Sequence, residues 1–164
     1  VKIKDAINKR DINELKYQIS RADEFILKNK PTNQLNLILE KAKKIEKEIL
    51  EFLNLVKLLE KATHEGKDKN KIKELLVQTK ESEYKEMANQ IIKIAENIII
   101  HLEKVEKAEK SLEEILKIVQ PKDASRLAFF LRENEKLIPP AKLKKAKGIL
   151  DNLLKGNISK FSNS

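Results

Sequence analysis

Apolar residues recur at alternating steps of three and four along two long stretches of the chain. The first stretch consists of Leu35, Ile38, Ala42, Ile45, Ile49, Phe52, Val56 and Leu59. The second consists of Met87, Ile91, Ile94, Ile98, His101, Val105, Ala108, Leu112, Ile115 and Val119. This spacing places all members of a series on one stripe of an α-helix, and a strand cannot use it. Because an apolar stripe must be covered, the pattern predicts long helices packed against other helices.

Proline, glycine and short polar runs divide the chain into predicted helices. The breaks fall at Pro31, Gly66, Pro121, Pro139-Pro140 and Gly156. We expect helices near residues 11–29, 33–64, 69–80, 84–119, 123–137 and 141–155, with residues 3–9 forming either a short lead-in turn or the end of an earlier helix. A turn at 80–84 is favoured over one continuous helix, because the stripe of Ile72 and Leu76 does not join the stripe that begins at Met87.

The predicted helix starts carry residues that can cap a helix. Asp11, Thr32 or Asn33, Asp68 and Asp123 precede the apolar series. Their side-chain oxygens can accept hydrogen bonds from the free amides of a first turn.

An aspartate followed by apolar residues four and eight positions later occurs three times, starting at Asp11, Asp68 and Asp123. Each copy precedes a second predicted helix, which is typical of tandem helical hairpins. The predicted fold class is therefore all-α, an elongated bundle or short solenoid of about three antiparallel helical hairpins. We expect one helical domain over residues 1–156, with repeats at 11–67, 68–122 and 123–156, and a polar tail at 157–164. The alternative, that any capped amphipathic helix gives this pattern, stays open.

Composition narrows the class of protein. The chain has 164 residues, 40% of them hydrophobic and 37% charged, which suits amphipathic helices around one core. It has no cysteine, which excludes disulfides and zinc–thiolate sites. No apolar run is long enough to cross a bilayer. The sequence begins at Val1 rather than methionine, which leaves open an excised or processed segment.

The net charge of +9 is concentrated toward the two ends. Residues 1–67 hold 15 basic and 11 acidic side chains, residues 68–122 hold 11 of each, and residues 123–164 hold nine and four. Only four basic residues are arginines, and aromatic residues make up 4%. This composition argues against a nucleic-acid reader that depends on arginine forks and base stacking.

The patterns of catalytic and metal sites are missing from the sequence. Its two histidines, His64 and His101, have no second histidine at i+4, and its three glycines stand apart from one another. The carboxylates alternate with lysines on predicted helix surfaces, as in ordinary solvated i,i+4 pairs. We therefore expect no enzymatic activity, no cofactor and no metal.

The C-terminal segment holds the candidate binding residues. In the last predicted helix, Leu143, Ala146, Leu150, Leu153 and Leu154 face one way, while the lysines face water. Such a helix can bind an anionic surface or pack as a core helix with a solvated lysine face. Phe129 and Phe130 of the preceding helix are candidates for protein contact or core packing. The candidate binding residues are Lys142, Lys144, Lys145, Lys147, Phe129 and Phe130.

One hairpin resembles a known kind of repeat. Leu127, Leu131, Ile138-Pro139-Pro140, Leu143, Ala146, Leu150 and Leu153 carry this resemblance. The stretch from Leu127 to Leu153 is similar to helical-hairpin repeats of large eukaryotic cytoskeletal and ciliary scaffolds. The resemblance implies a packing and binding role within a larger assembly.

The expected function is therefore a non-catalytic helical scaffold or adaptor module that binds proteins, in a cytoplasmic and cytoskeletal setting. One alternative is a basic helical module that binds nucleic acid or an anionic membrane. Another is a helical domain of a bacterial surface or effector protein that engages a host protein. Self-association stays open, because a long apolar stripe can pair between chains as well as within one.

Overall fold

The computed structural model describes residues 2–29 and 32–162, and this part of the chain contains helices and no strand. Its α-helices are α1 (Lys2–Lys9), α2 (Ile12–Lys28), α3 (Asn33–Glu65), α4 (Lys69–Glu81), α5 (Asn89–Ile118), α6 (Ala124–Asn134) and α7 (Pro140–Ser162). Two 3₁₀ turns, Lys85–Ala88 and Pro121–Asp123, precede α5 and α6. The all-α fold class is confirmed. The predicted break at Pro31 lies outside the described residues, as do the last two residues of the predicted polar tail.

Three of the predicted N-caps are confirmed. The Asp11 carboxylate accepts from the amides of Asn13 and Glu14, each at 3.1 Å. The Thr32 hydroxyl accepts from the Leu35 amide at 3.1 Å, which decides between the two candidates at the start of α3. Asp68 caps α4 by accepting from the Lys71 amide at 3.0 Å. These bonds satisfy first-turn donors that the helices themselves leave free.

The predicted cap at Asp123 is wrong. Its carboxylate accepts from the backbone N–H of Gln120 at 3.0 Å, so it points back along the chain rather than onto α6. Asp123 is the last residue of the 3₁₀ turn that begins at Pro121, and its side chain makes no capping bond to the helix that follows. The bond to Gln120 closes this turn instead.

The break between α4 and α5 is confirmed. α4 ends at Glu81, and the 3₁₀ turn from Lys85 to Ala88 leads into α5. Tyr84, between the two helices, is buried. A buried aromatic residue at this point fixes the turn by packing, without glycine or proline.

The chain divides into two compact units, which we call the N-terminal unit (residues 1–96) and the C-terminal unit (residues 97–164). In the N-terminal unit, α1, α2 and α3 pack against one another, and α4 packs against α3. The largest fully buried side chains of this unit are Leu15, Ile49, Leu59, Ile72 and Thr79. Ile49 and Leu59 belong to the predicted stripe of α3, so that stripe forms part of the core.

In the C-terminal unit, α6 packs against α7, and both contribute to one apolar core with the end of α5. The buried members of this core are Ala108, Leu112, Leu127, Leu131, Ile138 and Ala146. Leu143, Leu150 and Leu153 pack against it from α7, as the amphipathic pattern predicts, whereas Leu154 is exposed.

The stripe predicted for α5 is buried only in part. In the C-terminal unit its members Ala108 and Leu112 are buried. In the N-terminal unit, Met87 and Ile94 are exposed, and the adjacent stripe of Ala88, Ile92 and Ala95 is buried in their place. His101, which the prediction put on the stripe, is also exposed.

Two of the predicted hairpin pairs contain helices that pack together, α2 with α3 and α6 with α7. The full three-hairpin arrangement stays a prediction. The same holds for the single domain over residues 1–156, the repeats at 11–67, 68–122 and 123–156, and the polar tail.

Candidate protein-binding surface

Two of the four candidate lysines on α7 pair with carboxylates of the C-terminal unit. The Lys142 ammonium lies 3.3 Å from a carboxylate oxygen of Glu109 and 3.6 Å from one of Glu113, both on α5. Lys147 lies 3.1 Å from a carboxylate oxygen of Glu135. Part of the positive charge of the lysine run is therefore neutralised on the surface of its own unit. Such exposed pairs contribute about 0–1 kcal/mol each to stability.

The other two lysines, Lys144 and Lys145, extend into solvent. Neither has a carboxylate partner among the side chains that the structure describes. The structure thus places two paired and two free ammonium groups on the exposed side of α7.

The adjacent phenylalanines of α6 have different environments. Phe130 is half-buried and packs against the core of the C-terminal unit. Phe129 is 57% exposed, and the guanidinium carbon of Arg132 lies 5.6 Å from the centre of its ring. This cation–π contact on one helix face restricts the ring but leaves much of it in water.

A groove between α5 and α6 contains both phenylalanines. It has a volume of about 420 Å³ and is lined by Ser111, Glu114, Ile115, Ile118, Arg126, Phe129 and Phe130. We call it the Ile118–Phe129 groove, after its two most exposed apolar side chains. Ile118 is 69% exposed.

The chemistry of the Ile118–Phe129 groove suits an apolar side chain of a partner. Ile115 and Phe130 give it an apolar floor that belongs to the packed core. Glu114 and Arg126 add one charge of each sign. Apolar side chains in a concave surface with a few polar groups at its edge are typical of protein-binding sites.

The structure therefore brings together only part of the predicted site. Phe129 and Phe130 line the groove, whereas the lysines of α7 are not among its lining residues. Sequence reasoning missed Ile118 and Arg126. The signal for Ile118 was present, because it is a large apolar residue that falls beside the stripe of Ile115 and Val119, just before Pro121.

A second notable group of side chains surrounds Tyr84 in the N-terminal unit. The Tyr84 hydroxyl donates to a carboxylate oxygen of Glu48 at 2.9 Å, and its ring lies 6.0 Å from that of Phe52, between centroids. The Arg10 guanidinium carbon lies 5.0 Å from the centre of the Tyr84 ring. Arg10 also donates to the Glu83 carbonyl at 2.7 Å.

These contacts hold the α1–α2 connection, α3 and the α4–α5 connection together. Arg10 itself has a φ of 52°, in the left-handed region that a side chain disfavours. Burial, and then the hydrogen bond to Glu48, raise the pKa of Tyr84 well above its usual value. Since both the hydroxyl and the ring are engaged within the protein, we assign Tyr84 a structural role.

The raised pKa of Tyr84 gives a pH-dependent prediction. The unfolded chain loses the tyrosine proton near pH ~10, before the folded chain does, so the stabilisation is complete below that pH and declines above it. We expect the midpoint of thermal unfolding to fall further between about pH 9 and about pH 11 in the native protein than in Tyr84→Phe. Circular dichroism at 222 nm measures this, with Tyr17→Phe as the matched control. Equal pH dependence in the native protein and Tyr84→Phe would contradict the assignment.

No group of three or more histidine, cysteine, aspartate or glutamate side chains in the described part of the chain could hold a metal ion. Among the described helices, none has both the length and the apolar character that crossing a bilayer requires. Comparison with known protein families, with curated proteins and with solved structures gives no significant match.

Proposed function

We propose that this chain is a non-catalytic helical scaffold or adaptor module that binds other proteins. The observation that supports this most is the Ile118–Phe129 groove, in which Ile118 and Phe129 remain 69% and 57% exposed. Apolar surface that a partner covers contributes about 25 cal/mol per Å² to the free energy of transfer from water. The binding energy comes from shape and apolar contact, and no reacting group is needed.

The groove is suited to this role because its walls are already ordered. Leu127 and Leu131 anchor α6 to the core, and Ala108 and Leu112 anchor α5. A partner that enters the groove meets side chains whose backbone is fixed, so little conformational entropy is lost on the side of this chain. Ordered walls with an exposed apolar lining favour binding to a protein segment.

The setting that we propose is cytoplasmic and associated with the cytoskeleton. It is supported by the resemblance of the hairpin from Leu127 to Leu153 to repeats of cytoskeletal and ciliary scaffolds. A helical domain of a bacterial surface or effector protein that engages a host protein would use the same kind of groove and remains the alternative setting.

Affinity capture from the source cell, with quantitative mass spectrometry, tests the proposed function. We expect the native chain to retain a defined set of proteins, and Ile118→Asp and Phe129→Asp each to reduce their recovery roughly tenfold or more, because a carboxylate would be desolvated in the groove. Leu154→Asp is the matched control, since Leu154 is an exposed apolar residue of the same unit that does not line the groove. Equal recovery with the native chain and both groove variants, with the fold intact by circular dichroism, would overturn the proposal.

A second candidate function is binding to an anionic surface, and the free ammonium groups of Lys144 and Lys145 favour it. The pairing of Lys142 and Lys147 with carboxylates argues against this second function. It leaves only two of the four lysines free to contact an anionic surface. The salt dependence of the captured complexes separates the two functions. Complexes held by phosphate contacts weaken steeply as salt rises, whereas those held by apolar contact do not.

A further inference from the structure

A separate groove lies in the N-terminal unit, between α1 and α3. It has a volume of about 300 Å³ and is lined by Lys4, Ile7, Asn8, Leu37, Ile38 and Lys41. Ile7 and Ile38 are half-buried, and Leu37 is 67% exposed. We call this surface the Leu37 groove.

The charged side chains of the Leu37 groove all have the same sign. Lys4 contributes one ammonium group from α1 and Lys41 contributes another from α3, and both are exposed. Neither forms an ion pair with a carboxylate in the part of the chain that the structure describes. In the same unit Lys43 is paired with Asp23, and Lys80 is paired with Glu96. The Leu37 groove thus combines an apolar floor with uncompensated positive charge at both walls.

We propose that the Leu37 groove binds an acidic amphipathic α-helix of a partner protein. Apolar residues of that helix at i, i+3 and i+4 would cover Leu37, Ile7 and Ile38. Glutamate or aspartate residues flanking its apolar stripe would face Lys4 and Lys41. The Leu37 groove and the Ile118–Phe129 groove lie on different helices. A negative result for one site therefore leaves the other site unaffected.

The Leu37 groove favours a helix over an extended strand, because it offers no backbone hydrogen bonds to a partner. Both walls are helices, whose backbone groups bond within each helix, so the groove has no sheet edge onto which an extended strand could pair. A helix brings its own backbone hydrogen bonds and needs only side-chain contacts. The lining includes no aromatic residue on which a nucleic-acid base could stack.

Selection from a displayed library of amphipathic helices tests the proposal. The library varies the apolar positions among Leu, Ile, Met, Phe and Val, and varies the flanking positions among Glu, Asp, Gln and Lys. Peptides that bind the full chain are retained, and those that also bind the Leu37→Asp variant are then removed. We expect the recovered peptides to be enriched in Glu and Asp at the flanking positions. Recovery of no peptide, or of peptides without acidic enrichment, would overturn the proposal.

Fluorescence anisotropy with one recovered peptide then locates its site. We expect the double variant Lys4→Glu with Lys41→Glu to weaken binding roughly tenfold, because each reversal removes an attraction and adds a repulsion. Leu37→Asp should weaken it by a similar factor. The matched controls are the double variant Lys57→Glu with Lys61→Glu, which makes the same change in net charge, and Leu58→Asp, since these residues are exposed on α3 outside the groove. Equal weakening by groove and control variants would overturn the assignment of the site.

Other occupants of the Leu37 groove have distinct signatures. Binding to vesicles of equal phosphatidylserine and phosphatidylcholine that the double lysine variant abolishes would make the groove a lipid-binding surface instead. A dimer in light scattering that Leu37→Asp converts to a monomer would make a second copy of this chain the occupant. Either result would overturn the proposal.

Discussion

Replacement of Ile49 by alanine is expected to lower the free energy of unfolding by about 2–5 kcal/mol. Ile49 lies in the middle of α3 and is completely buried in the N-terminal unit. The substitution removes three carbon atoms from a packed interior and leaves a cavity that the surrounding helices fill only in part. Urea denaturation followed by circular dichroism at 222 nm measures the loss.

Leu58→Ala is the matched control for Ile49→Ala. Leu58 lies on the same helix, nine residues later, but is 54% exposed. Its truncation should change the free energy of unfolding by about 0.5 kcal/mol or less, as for most surface substitutions. If the two variants lost similar stability, the assignment of Ile49 to the core and Leu58 to the surface would be wrong.

Most of the helices were predictable because their signals are local. The predicted break at Gly156 is wrong, since α7 continues to Ser162, and α1 was expected only as a lead-in turn or a helix end. Hydrophobic periodicity, Gly66, Pro121 and the capping side chains act within one or two turns, so the sequence carries them directly. Gly66 ends α3 in the left-handed conformation at φ 58°, where its N–H donates to the Ala62 carbonyl. The wrong cap at Asp123 also has a local cause, since the backbone N–H of Gln120 donates to its carboxylate before α6 begins.

The buried face of α5 was harder to predict because two apolar stripes lie side by side. Ile91 and Ile92 are neighbours in sequence, and either can belong to a stripe with a helical period. The prediction chose the stripe with the larger side chains, including Met87 and Ile94. The structure buries the stripe with alanines at 88 and 95, which contains the smaller side chains. Small residues allow close approach of neighbouring elements, and which stripe is covered depends on tertiary packing.

The candidate site was predictable only in part for the same reason. The sequence gives the exposed face of α7, but it does not reveal that Glu109 and Glu113 of α5 lie beside Lys142. Nor does it separate Phe129 from Phe130, because adjacent residues on a helix point about 100° apart and either could face the core. Contacts between distant residues decide which charges stay free and which aromatic ring stays exposed.

Replacement of Leu127 by alanine is expected to cost about 2–5 kcal/mol in the C-terminal unit, whereas Phe129→Ala is expected to cost about 0.5–1 kcal/mol. The two residues lie two positions apart on α6. Leu127 is completely buried in the core, and Phe129 is 57% exposed. Truncation of Leu127 leaves a cavity, while truncation of Phe129 removes only surface contact and the cation–π contact with Arg132. Hydrogen exchange of the α6 and α7 amides, followed by mass spectrometry, measures both effects in the unit concerned.

This pair of variants also links stability to the proposed function. Suppose that Leu127→Ala destabilises the unit strongly and Phe129→Ala hardly at all. The stability of the unit then gives no reason for an exposed apolar side chain as large as Phe129. Burial of the Phe129 ring by a partner protein would then explain why this position is apolar. Should Phe129→Ala instead increase exchange throughout α6 as strongly as Leu127→Ala, Phe129 would belong to the core in solution. The Ile118–Phe129 groove would then lose its main apolar anchor, and with it the proposed mode of binding.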